Sequence, residues 1–276
     1  MEPAEQGLDN SFPALISALN SPDGNARLQA AFSLDLMGPA TMASFHRSRF
    51  DLKNPDIRKR LEAVQSLHDG GKRTLHAVSL LNRVLMQNAG TFSYQTGETL
   101  VSVSSSTVVS LTSLRMALRD KNADVRREAA RALADLTEKI AQIFSELGVS
   151  LELPDAMIPE LALESLGEMA PSAAVLIDAL AAALLDSDAL VRADARRALN
   201  SAVADTAVAM AILSEVLSRE EPEMQTRASE ILKDMAPAIA ASLPTLRRVL
   251  KVAGPSTRLQ ASESLEKIAA LSSKGV

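Results

Sequence analysis

The segments LRDKNADVRREAARAL (residues 118–133) and LLDSDALVRADARRAL (residues 184–199) match each other at a spacing of 66 residues, and half of that spacing, 33, recurs along the whole chain. Stepping by 33 from Leu19 gives Leu52, Leu85, Leu118, Leu151, Leu184, Leu217 and Leu250, all eight of them leucine. A second series runs Ala30, Ala63, Thr96, Ala129, Ala162, Ala195, Ala228 and Ala261. A third runs Leu34, Leu67, Leu100, Leu133, Leu166, Leu199, Leu232 and Leu265, and a fourth Phe12, Phe45, Val78, Leu111, Phe144, Ile177, Met210 and Leu243. Self-similarity at such a period marks a repeat array, in which each unit buries its apolar face only against its neighbours. Eight registers of 33 cover the 276 residues with 12 to spare and need no insertion, so the chain reads as one elongated stack.

Inside each repeat the apolar positions fall at helical spacing in two bursts, as in Leu111, Leu114 and Leu118, then Val125, Ala129, Leu133 and Leu136. This predicts helix A, a short turn and helix B. Proline placement fits such a division. Pro22, Pro55 and Pro154 share one position between A and B, with Pro222 and Pro255 two residues later; Pro39, Pro171 and Pro237 fall in a second turn after B, and Pro13 and Pro244 open helix A. Asn54 and Asn122 stand where an N-cap of helix B belongs. The expected fold is therefore all-α, an α-solenoid of about eight 33-residue helix-turn-helix repeats. Their bounds are residues 9–41, 42–74, 75–107, 108–140, 141–173, 174–206, 207–239 and 240–272, with tails at 1–8 and 273–276. Two units are atypical. The stretch TFSYQTGETLVSVSSS (91–106) is rich in Gly, Thr, Ser and Val, so its helix B (about 92–104) is expected to be short and imposed by its neighbours. The fifth unit has a longer approach, GVSLELPDA, before its helix B.

Composition narrows function. With no Cys, disulfides, thiolate zinc sites and cysteine nucleophiles are excluded. No Trp, one Tyr and six Phe leave the core to Leu, Ala, Val, Ile and ten Met. A net charge of −5 argues against a general polyanion binder. The acidic start MEPAEQGLDN lacks the basic and apolar regions of a secretory signal, and the apolar run 173–185 is too short to cross a bilayer and is interrupted by Asp178. A cytoplasmic chain without a membrane span is expected.

The repeat resembles the HEAT repeat, in its short bacterial form shared with bilin-lyase subunits. The residues that carry the likeness are Leu118, Asp120, Val125, Arg126, Ala129 and Leu133, and again Leu184, Asp186, Val191, Arg192, Ala195 and Leu199. Arg also fills its slot at Arg27, Arg60 and Arg258, while Ser93, Pro159 and Gln225 depart from it. The resemblance spans residues 9–272 and implies a stack whose B helices line a concave face. On that face the series Glu98, Arg131, Glu164, Arg197, Glu230 alternates in sign, which predicts a charge ladder across adjacent B helices. Toward the N-terminus the same face offers Leu28, Phe32, Leu61, Gln65, His68, Tyr94 and Val101, an expected partner-binding patch.

Charge is uneven along the chain. Residues 45–83 hold nine basic and four acidic side chains, a balance of +5, whereas residues 152–235 hold sixteen acidic and six basic, a balance of −10. Only His46, His68 and His76 supply imidazole, and none adjoins a Glu, so the repeated His-Glu pairs of HEAT-like di-iron hydroxylases are missing. Phosphate-cradling loops and the G-x-S-x-G elbow are missing as well. The expectation is a non-enzymatic scaffold or adaptor that binds another protein, with no catalytic residue, metal or cofactor and no small-molecule or nucleic-acid partner. Two alternatives stay open at this point: a subunit similar to the bilin lyases, handling a tetrapyrrole, and a nucleic-acid binder acting through the basic second repeat.

Overall fold

The computed structural model describes residues 3–87, 93–154, 157–219 and 221–272. They form α1 (Pro3–Leu19), α2 (Gly24–Asp51), α3 (Ile57–Gln87), α4 (Ser93–Ala117), α5 (Ala123–Ser150), α6 (Met157–Ala183), α7 (Ala189–Leu217), α8 (Pro222–Val252) and α9 (Pro255–Ser272), with no strand among the described residues. The all-α repeat is as the sequence predicts: one period of 33 corresponds to one long helix and one turn. The second turn is not there. Helix B of each unit runs on without a break into helix A of the next, so Pro13, Pro39, Pro171, Pro237 and Pro244 lie inside helices. Propagating a helix through such a site gains one hydrogen bond per residue fixed, whereas stopping requires a new nucleus, and packing along both flanks carries the cost of each proline. For the same reason α4 is one continuous helix from Ser93 and α5 includes Gly148, Val149 and Ser150. Residue 92, Asp155 and Ala156 of those two atypical units, and the tail 273–276, lie outside the described residues. The predicted N-terminal tail is helical from Pro3 onward.

One turn per period sets the layering. Short turns send consecutive helices in opposite directions, and each helix then packs beside the helix two places on: α3 on α5, α5 on α7 and α7 on α9 form an odd layer, while α2 on α4, α4 on α6 and α6 on α8 form an even one. The spatial repeat is therefore 66 residues. Its Ala series is buried in full, because a small side chain lets neighbouring helices approach. Glycines serve the same end: a Cβ at Gly97 in α4 would lie 2.1 Å from Leu161 Cδ1 in α6.

Within the odd layer the turns are strapped together. Arg60 donates from Nε and Nη2 to both carboxylate oxygens of Asp120 (2.7 and 3.2 Å), and Arg126 does the same to Asp186 (2.7 and 3.0 Å). Each arginine also donates to carbonyls of its own turn, Arg60 to Asn54 and Pro55 and Arg126 to Asp120 and Lys121. Asn122 caps α5, accepting from the amides of Asp124 and Val125, and Asp188 caps α7. Asn54 does not cap α3. It accepts from the Asp56 amide, as Asp120 and Asp186 accept from the amides two residues after them, and Asp56 accepts in turn from Arg58 N. By length and composition α6 and α7 suffice to cross a membrane, yet 61% and 50% of their apolar windows are buried inside the model, where that surface packs on neighbouring helices.

Candidate functional site

The layering redistributes the residues singled out from sequence. Leu28 and Phe32 stand on α2, and Tyr94 and Val101 on α4, all in the even layer, whereas Leu61, Gln65 and His68 stand on α3 in the odd layer. The expected single patch is thus split, because B halves of successive repeats alternate between layers. Phe32 and Tyr94 are exposed, Leu28 and Val101 half-buried, and Leu61 is half-buried against the core. Tyr94 donates its hydroxyl to Glu98, and that bond, with the charge of Glu98, raises the phenol above its ordinary pKa. Gln65 is exposed and donates to Asp69 at 3.0 Å.

The charge ladder is corrected for the same reason. Glu98, Glu164 and Glu230 belong to even helices and Arg131 and Arg197 to odd ones, so the sign alternation along the chain becomes segregation by layer. Arg131 pairs with Glu128 on its own helix and Glu230 with Arg227 on its own. Arg197 reaches Asp194 (3.2 Å), Glu138 (3.2 Å) and Asp135 (3.3 Å).

Asp135, which the sequence reading passed over, joins three odd helices: besides Arg197 of α7 it stands 3.9 Å from Lys72 Nζ and 3.4 Å from His68 Nε2 of α3. His68 is buried, and burial, aided by Lys72, lowers its pKa, so the imidazole is neutral at pH 7 and lies beside Asp135 without hydrogen-bond geometry. One available signal was the helical spacing of Asp135, four residues from Arg131. Arg127 of α5 donates to Asp188 at 2.5 Å, holding that carboxyl well below the usual carboxylate range.

Two depressions flank the first half of α3. A cleft of about 710 Å³ lies among α1, α2 and α3, floored by Phe12, Phe45, Ala63 and Gly70 and edged by hydroxyl and charged groups including Lys59 and Asp69. A shallower groove of about 470 Å³ lies between α3 and α5, lined by Leu61, Arg127 and Arg131 among others. Glu62 and Gln65 line both, so the ridge of α3 stands between two adjoining hollows. Their walls mix apolar floor with charges of both signs, which suits a polypeptide surface better than a small ligand held by converging polar groups. Among the described residues no three of His, Asp and Glu come together as metal ligands.

No protein-family model matches this chain, and no curated protein does. Solved structures similar to it include an archaeal HEAT-like repeats protein from Thermococcus onnurineus, at 14% identity over 94% of this chain and 97% of that one, with a TM-score of 0.24. The complex of CpcE and CpcF of phycocyanin lyase from Nostoc is 20% identical over 81% of this chain and 93% of that one (TM-score 0.17). Human deoxyhypusine hydroxylase is 20% identical over 96% and 98% (TM-score 0.17). TM-scores of this size bear no weight of their own, and the architecture rests on the 33-residue register and the layers it builds. The chain is an all-α repeat stack, similar to HEAT-like repeat proteins.

Proposed function

We propose that this protein is a non-enzymatic interaction scaffold that binds a second protein over the first half of α3. The observation that carries the reading is the pair of adjoining hollows on either side of the Glu62 and Gln65 ridge. Rigid helices strapped by Arg60 and Arg126 hold that ridge in place, and an extended mixed surface of this kind favours contact with a polypeptide.

Affinity capture from native lysate with three versions of the full chain tests this. Ser66→Trp fills the cleft wall, and Leu28→Asp with Tyr94→Asp alters the even layer. A protein retained by the wild type and by the even-layer variant, but lost from Ser66→Trp, supports binding at α3. Equal retention by all three places the contact elsewhere, and loss from the even-layer variant alone moves it to α2 and α4.

A further inference from the structure

The larger cleft has a structural origin that specifies its occupant. α1 has 17 residues where α3 has 31, and the 66-residue offset of the odd layer sets Leu19 beside Leu85 and Pro3 beside Asp69. From Ile57 to His68, therefore, α3 runs past the start of α1 with no neighbour from its own layer among the described residues. Those 12 residues measure about 18 Å, roughly three turns. Elsewhere the corresponding flank is covered. In α5 it is Val125, Ala129, Ala132 and Leu136, in α7 Val191, Ala195, Ala198 and Ala202, and all eight are buried. In α3 the same positions read Lys59, Ala63, Ser66 and Gly70: a cation stands where the others have valine, a hydroxyl where they have alanine, and a glycine whose missing Cβ is replaced by the Phe45 ring. The flank keeps the small-residue floor of a helix seat and exchanges its rim for polar groups that tolerate water when the seat is empty.

Resting on the reading that α3 binds a protein, we propose that this notch receives a short amphipathic helix of a partner protein, with acidic residues along its edges, which completes the odd layer. The length follows from the uncovered span, and helical form from the repeat: every other copy of this flank is occupied by a helix running parallel to it. The acidic character follows from Lys59 on the rim and from the +5 balance of residues 45–83, in a chain whose net charge is −5. Small side chains at Ala63, Ser66 and Gly70 let the incoming backbone approach closely, and Phe12 and Phe45 offer apolar contact.

Fluorescence anisotropy of the full chain with a labelled peptide of about 14 residues tests the proposal. The peptide carries Ala and Leu on one helical face and Glu along both edges; one control has Lys for Glu and another a central Pro. The Glu peptide is expected to bind, to weaken with added salt, and to gain helicity by circular dichroism. Lys59→Glu should weaken it about tenfold and admit the Lys peptide, and Ser66→Trp should abolish binding, while Glu223→Lys on α8 leaves it unchanged. Unaltered thermal melts show that the variants are folded. Failure of the Glu peptide to bind, equal binding of the Glu and Lys peptides, equal binding of the Pro peptide, or full binding to Ser66→Trp each overturns the proposal. So does light scattering that finds a second copy of this chain in the notch, as a dimer lost in Ser66→Trp. If lysate capture still depends on Ser66 but the Glu peptide does not compete, α3 binds a partner and only its helical, acidic character is wrong.

Discussion

Replacing Asp205 with Asn is expected to remove a pH dependence of stability that the wild type carries between about pH 4 and pH 8. Asp205 lies in α7 on the side facing Ala141 of α5, with its side chain wholly buried and neither carboxyl oxygen in a hydrogen bond of good geometry. Burial pushes its pKa up from 3.8 to about 8, the Ala141 amide opposing this only in part. In the unfolded chain the carboxyl loses its proton near 3.8, while the folded chain keeps it until near 8. Stability therefore falls as pH rises through that window and levels off once the folded group ionises too. At about 1.4 kcal/mol per pH unit, the loss attributable to Asp205 between pH 5 and pH 8 comes to about 4 kcal/mol. Urea unfolding followed by circular dichroism at both pH values, for wild type and Asp205→Asn, measures it, since every other titrating group is common to the two proteins. The stability difference should widen by several kcal/mol in favour of Asn toward pH 8. A difference that stays constant within about 0.5 kcal/mol would mean that Asp205 is solvated or paired in the folded state, and would refute the reasoning.

Arg126→Ala should cost about 3 kcal/mol, because it leaves the largely buried Asp186 carboxylate without its bidentate partner and two carbonyls of its own turn without a donor. A double-mutant cycle with Asp186→Asn checks it, and strictly additive losses would show that the pair is not coupled. Gly97→Ala gains up to about 1 kcal/mol in helix propensity but drives a methyl into Leu161, whose Cδ1, Cγ and Cβ would stand 2.1, 2.8 and 3.0 Å away, so a net loss of about 1 kcal/mol or more is expected. Leu161→Ala in the same chain should relieve that clash, and a thermal melt of the double variant no better than the sum of the singles would contradict it. Ultraviolet titration should place the Tyr94 phenol above 10.0, and Glu98→Gln should bring it down; a wild-type midpoint at or below 10.0 disproves the Tyr94 to Glu98 bond.

Much of the fold is legible in the chain, and the places where reading fails share a cause. The leucine, alanine and mixed apolar series fall on buried positions nearly throughout, because burial is a property of the local pattern. Proline was the misleading signal. Pro39 and Pro237 mark a turn by propensity, yet each lies exposed within a continuous helix, where only one backbone hydrogen bond is given up. That difference turns two short helices per repeat into one long one, and it moves every side chain of the next repeat to the opposite layer. Phe32 and Gln65, one period apart, were read onto one surface and lie on two. The Arg slot shows how the signal might have been used: Arg60, Arg126, Arg192 and Arg258 all stand in odd helices, and Ser93, Pro159 and Gln225 in even ones, so the alternation already divides the repeats into two kinds.

By itself the sequence determined the period, the helical class and the set of residues that face a core, since hydrophobic spacing and side-chain size act within a few turns of chain. Tertiary structure alone decided which helices are neighbours. A period of 33 is satisfied equally by one turn or two, and the choice depends on whether cooperative helix propagation outlasts the proline cost once both flanks are packed. Having one turn puts Asp120 beside Arg60 across 60 residues, parts the glutamates from the arginines of the expected ladder, and leaves the first half of α3 uncovered beside a helix too short to reach it.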